Sequence, residues 1–126
     1  MKLTFGKDKR LKSQKKIERL FLSGKRAQSF PLKSVFFMDP DQPAGIEIAV
    51  SVPKKLFKKS VDRNLLKRRM REAFRLHQHQ LKPQNKLELM FIYSANEILE
   101  FSKIEKAMLV LIGSLNSISN DSISKK

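Results

Sequence analysis

Between residues 54 and 75 the chain reads KKLFKKSVDRNLLKRRMREAFR, a stretch holding ten of the 27 Lys and Arg residues against two acids. Such side chains neutralise phosphate, and the Arg guanidinium adds a planar, bidentate fork that Lys lacks. Set on a helix at about 100° per residue from Val61, Leu65, Leu66, Met70, Ala73, Phe74, Leu76 and Leu81 fall on an arc of roughly 40° to 220°. Arg63, Lys67, Arg68, Arg71 and Arg75, together with Asn64, fall at roughly 200° to 340°, and only Arg69 lands on the apolar side. Five like charges on one face repel one another, so the arrangement costs stability until a polyanion neutralises it. A solvated face is the alternative, but solvated faces usually mix signs in i,i+4 pairs and this one does not. The Asn64 amide lies in the same arc, where it can bond a phosphate or sugar or else hold the preceding loop.

Other chemistries find little support. There is no cysteine, hence no disulfide, thiolate metal site or Cys nucleophile. His77 and His79 are two apart and point about 200° away from each other on a helix, so they cannot share a metal or act as an acid and base pair. Asp39 and Asp41 flank Pro40, which is turn chemistry far more often than a Mg²⁺ site. Glu97, Glu100 and Glu105 lack metal spacing, and four isolated glycines make no phosphate loop.

The elements that must position the basic stretch follow from periodicity. Residues 1–12 hold five cations and one acid and read as a flexible basic arm. With Ser13 as N-cap, a helix runs to about Ser23, carrying the stripe Ile17, Leu20 and Phe21, with Gly24 at C′. A short edge strand over 25–30 and a strand over 32–38 come next, then a turn-rich loop over 39–45 read as a hairpin. Residues 46–52 alternate, with Ile46, Ile48, Val50 and Val52 on one side. The long helix starts near Ser60 as N-cap and runs to about Gln80; residues 87–93 form a strand, and a last helix covers about 102–115. The serine-rich segment 116–126 is expected to be unstructured. The class is α+β: a small two-layer sandwich in the order α-β-β-β-α-β-α, with a mixed four-stranded sheet packed by helices, a β-α-β crossover and one domain over 13–115.

The pattern Arg63-Asn64-x-x-Lys67-Arg68-x-x-Arg71, preceded by Ser51-Val52-Pro53-Lys54-Lys55 at a strand end, resembles the signature of the protein component of bacterial ribonuclease P over roughly residues 11–112. The resemblance implies a left-handed β-α-β crossover and a protein inactive alone, with the catalytic centre and its Mg²⁺ in an RNA partner and no cofactor in the protein. It implies that Lys54, Lys55, Arg63, Asn64, Lys67, Arg68 and Arg71 bind that RNA. A cleft between the first helix and the sheet would then receive the single-stranded 5′ leader of precursor tRNA. Ile17, Phe21 and Phe36 match its positions, with Ile17 standing where many members have Phe. Phe21 and Phe36 are equally readable as ordinary core. Between the Lys pair and Arg63 the chain is one residue longer than the family pattern.

Composition agrees with an acidic partner. The chain has 126 residues, a net charge of +15 and 40% apolar residues, enough for one modest core beneath a surface that favours nucleic acid. No h-region or apolar run of about 18 residues marks a signal peptide or membrane span, so a cytoplasmic location is expected. A membrane-surface helix is disfavoured because its apolar arc is needed for the core. A structural RNA-binding protein, a self-sufficient nuclease and a DNA-binding regulator are the rivals; the first shares the composition, the second lacks visible ligands, and the third lacks a helix-turn-helix partner.

Overall fold

A computed structural model describes the backbone of residues 14–124 and the side chains of residues 14–116. The basic arm expected over 1–12 and the cap at Ser13 lie outside the described residues. In chain order the elements are α1 (Gln14–Ser23), β1 (Lys25–Ser29), β2 (Leu32–Asp39), β3 (Gly45–Ser51), α2 (Ser60–His77), a single 3₁₀ turn (Gln78–Gln80), β4 (Lys86–Tyr93) and α3 (Phe101–Ser124).

The four strands form one sheet in the order β1-β2-β4-β3, in which β3 and β4 are parallel and the other neighbours antiparallel. The passage β3-α2-β4 is therefore a β-α-β crossover between adjacent strands. The loop after β2 is not a hairpin, contrary to the sequence expectation. Lys86 is the register partner of both Asp39, ending β2, and Gly45, starting β3, so the loop bridges over the first residue of β4. Asn85 holds it there, its amide donating to the Gln42 carbonyl at 3.2 Å. The physical reason is burial. LELMFIY is the most continuously apolar strand of the chain, and such a run gains most at the centre of the sheet, covered on both faces.

Strand alternation divides the side chains between two faces. Leu32 and Phe36 of β2, Ile48 of β3 and Leu87, Leu89, Phe91 and Tyr93 of β4 enter the main core with Leu66, Met70, Ala73 and Phe74 of α2 and Ile104, Met108, Leu111 and Leu115 of α3. Val35, Met90 and Leu20 make a smaller cluster on the other face, where α1 lies with Ile17 and Phe37 packed against it. Each fully buried side chain of this size contributes roughly 1.5 to 3 kcal/mol of transfer free energy.

Three boundaries differ from the sequence expectation. Lys59, extended at φ −82° and ψ 127°, is the N-cap of α2, and Ser60 is already helical. Among the described residues no glycine has positive φ, so Gly24 does not close α1 in a left-handed turn. It is instead required by close approach, since a Cβ there would sit 2.9 Å from the Phe36 carbonyl oxygen and closer still to that of Leu20. The backbone of α3 continues past Leu115, where periodicity ended it, to Ser124. No proline interrupts that stretch, and a helix nucleated by the packed turns of Leu111, Ile112 and Leu115 propagates at one bond per residue.

Candidate nucleic-acid interface

The two faces of α2 separate as its helical spacing requires. Leu66, Met70, Ala73 and Phe74 are buried in the main core. Asn64, Arg68 and Arg71 are exposed, Lys67 is half-buried, and Lys54 and Lys55 extend the exposed cationic surface into the loop before the helix. Arg75 is partly neutralised by an ion pair with Glu72, one turn away, which takes it out of the set available to a ligand.

Arg63 has a second occupation. Its Nη1 donates to the carbonyls of Phe57 at 2.8 Å and Lys58 at 2.9 Å, so the guanidinium closes the loop that no side-chain cap satisfies. The loop-holding role open to Asn64 belongs to its neighbour. Arg69, the one cation on the apolar side, donates to the Leu99 carbonyl at 2.7 Å and anchors the segment between β4 and α3. His77 lies against Glu105 at 2.8 Å and joins α2 to α3.

The other face of the sheet presents Lys33, Val35 and Phe37 from β2, Glu88, Met90 and Ile92 from β4, and Glu47, Ala49 and Ser51 from β3, by register. α1 is fastened across part of it by charge. Arg19 Nη2 donates to Glu88 Oε2 at 2.6 Å, lies 3.7 Å from Asp39 and stacks over the Phe37 ring at 4.6 Å from its centroid. The hydrogen bond to Glu88 holds the Arg19 pKa above its ordinary value. Lys16 bridges to Glu47 at 2.9 Å, which Lys86 also approaches at 3.4 Å. The carboxylates of this face are thus taken by fixed cations, and among the described residues no group of three or more His, Asp or Glu has the placement of a metal site.

Beyond the reach of α1 the sheet floor opens into a cavity of about 400 Å³ lined by Arg26, Gln28, Lys33, Val35 and Ile92. Arg26 ties the cavity to α1, its Nη2 donating to the Phe21 carbonyl at 3.0 Å. The Phe21 ring is 37% exposed, while Ile17 is half-buried against Leu20 and Val35. An apolar floor with cations at its rim accepts a base on one side and its phosphates on the other.

Phe36 does not belong to this cavity. It is 4% exposed and points into the main core, on the opposite face from Val35 and Phe37, so the leader-contact role expected for it is corrected: it is a core residue. Phe36→Ala is accordingly expected to cost about 3 to 5 kcal/mol in urea unfolding, lowering the midpoint, rather than to weaken one RNA selectively. Strand parity carried the missing signal. The residues alternating with Phe36 include Lys33 and Asp39, and polar residues of one parity mark the less covered face.

Arg26, Gln28, Lys33 and Ile92 were not singled out by the sequence. Arg26 and Gln28 sit in a five-residue strand with no apolar period, and Lys33 and Ile92 meet only through a pairing 59 residues apart.

The family model for ribonuclease P matches residues 5–116. A ribonuclease P protein component from Porphyromonas gingivalis is 34% identical over 113 residues, covering 83% of this chain and 82% of its own. One from Picosynechococcus is 33% identical over 91 residues, covering 72% of this chain and 77% of its own. Among solved structures, the Staphylococcus aureus RNase P protein superposes with a TM-score of 0.72 at 18% identity, covering 85% of this chain and 94% of its own. That from Thermotoga maritima gives 0.68 at 23% identity, covering 82% and 94%. At these identities the structures speak for the fold, a mixed four-stranded sheet with three helices.

Proposed function

Given that the chain belongs to the ribonuclease P protein family, as a protein component of that endoribonuclease, we propose how its two faces take part. The exposed cations of α2, with Lys54 and Lys55 before it, bind the catalytic RNA. The cavity beside α1 receives the single-stranded 5′ leader of precursor tRNA, with the exposed Phe21, whose carbonyl Arg26 holds, supplying a stacking ring. Cleavage at the mature 5′ end is then chemistry of the RNA and its Mg²⁺, and the protein alone is inert. Its contribution is physical: two polyanions must approach, and a net charge of +15 lowers the cation concentration they require. Such a complex works in the cytoplasm; among the described residues no helix is long and apolar enough to cross a membrane.

The observation that carries this reading is the segregation along α2. Its apolar arc is consumed by the core while Asn64, Arg68 and Arg71 stay exposed, with Asp62 and Glu72 as the only acids of the helix. The test is 5′ cleavage of a precursor tRNA at low Mg²⁺ with a bacterial ribonuclease P RNA, with and without the protein, and with the protein alone. Cleavage is expected only when both are present. No effect of the protein would favour a structural RNA-binding role, and cleavage by the protein alone would reveal an overlooked active site. Phe21→Ala is expected to lower affinity for precursor over mature tRNA by about tenfold, the worth of one stacked base.

A further inference from the structure

Across β1 from the sheet cavity lies a second one, of about 470 Å³. Phe30 and Pro31 of the turn between β1 and β2 form one wall, and Leu99, Lys103, Lys106 and Val110 the other. Phe30 is 72% exposed, the most exposed aromatic ring among the described residues. A single exposed ring needs no explanation by itself. This one is mounted on a pinned frame. The Pro31 carbonyl accepts from the Ser94 backbone N–H at 2.8 Å and from its hydroxyl at 3.0 Å. Opposite, the Tyr93 hydroxyl donates to the Glu97 carbonyl at 2.8 Å and accepts from the Leu99 N–H at 3.0 Å, and Arg69 holds the Leu99 carbonyl.

Lys103 and Lys106 are three apart on α3 and share a face, against one acid, Glu97, in the same wall. An exposed aromatic ring on a pinned turn, beside two cations about one turn apart, is the equipment of a single-strand site: the ring stacks a base of any identity, and the ammonium groups meet the phosphates on either side. The two cavities are lined by neighbouring residues of β1. Gln28 lines the first and Ser29 the second, and successive strand residues face opposite sides of the sheet. Because β1 is an edge strand, an extended chain leaving the first cavity reaches the second by rounding the end of β1.

We propose that leader nucleotides lying beyond the sheet cavity round the end of β1 and dock between the turn and α3, one base on Phe30 and the flanking phosphates on Lys103 and Lys106. This rests on the leader-binding reading above and extends it to a second subsite, which only longer leaders reach.

The holoenzyme, reconstituted with ribonuclease P RNA, is titrated with mature tRNA and with precursors carrying leaders of about 4 and about 12 nucleotides, within the range of small single-strand sites. Phe30→Ala, and Lys103→Ala with Lys106→Ala, should each weaken binding of the long-leader precursor about tenfold and of the other two less than about twofold. Phe30→Trp should restore the long-leader affinity and Phe30→Leu should not, separating stacking from apolar packing. Equal losses on all three ligands, or none on any, overturn the proposal. So does weaker binding of the catalytic RNA, or a change of oligomeric state, because either identifies another occupant. Phe21→Ala run alongside separates the two readings. If it abolishes the preference for precursor while the Phe30 variants leave long-leader binding intact, the extension falls and the leader reading stands; if neither affects precursor binding, both fall.

Discussion

Arg19→Met is expected to lower the unfolding free energy by about 3 kcal/mol, read from urea midpoints at constant m. Glu88 is 0% exposed in an inner strand, and its Oε1 has no hydrogen-bond partner among the described residues. The carboxylate is therefore tolerated through its Oε2 bond to Arg19 at 2.6 Å. Removing the cation leaves a buried, unpaired charge, which costs far more than the pair contributes when intact. The Arg19 side chain is 39% exposed, so water can partly re-enter, and the cost stays at the low end of the range for buried pairs. Replacing both partners, Arg19→Met with Glu88→Leu, should recover most of the loss, because two apolar side chains of similar volume need no compensation. With Glu88→Leu alone as the fourth corner, the double-mutant cycle is expected to give a coupling energy of about 2 kcal/mol. A loss below about 1 kcal/mol for Arg19→Met alone would mean that the pair is screened and that α1 is held by Leu20 and Ile17.

The second large effect concerns affinity. Lys67→Gln, Arg68→Gln and Arg71→Gln combined keep the side-chain stems and the helix propensity while removing three charges from the face of α2. If each contacts a phosphate, the slope of log K against log salt for ribonuclease P RNA should fall by about three units, somewhat less on single strands. Affinity near physiological salt should drop about 100- to 1,000-fold, without a lower unfolding midpoint, because Arg68 and Arg71 are exposed and the substitutions relieve the repulsion along this face. An unchanged salt slope would place the RNA on another surface. Arg63→Gln provides the contrast. Its guanidinium also holds the Phe57 and Lys58 carbonyls, so stability and affinity should fall together.

What could be read beforehand follows from the range of each interaction. α2 was legible almost residue by residue because 18 consecutive positions repeat the 3.6-residue period. Only its ends moved: Ser60 has the chemistry of a cap, yet the break in backbone direction falls at Lys59. Strand existence was likewise local, but strand order was not. Asp39, Gly45 and Lys86 meet in one row, and nothing within a few residues of any of them announces that β4 separates β2 from β3. The site divides in the same way. The basic face of α2 is a property of one helix and was visible, whereas the ion pair between Arg19 and Glu88 joins positions 69 apart. Read alone, each looks like a residue facing water. Phe36 failed for a simpler reason: two adjacent phenylalanines in a strand face opposite ways, and composition does not say which one is inside.

The placement of β4 also governs how the chain can be made. During synthesis β1 and β2 emerge together with their partner strand at hand, but β3 has no neighbour until residues 86–93 leave the ribosome, some 35 residues later. Throughout that interval the apolar arc of α2 has no finished sheet to cover, while its cations already face a solution rich in RNA. The nascent chain is therefore a polycation before it is a folded domain. The most vulnerable moment for misassembly falls between the emergence of α2 and the insertion of the strand that completes the sheet beneath it.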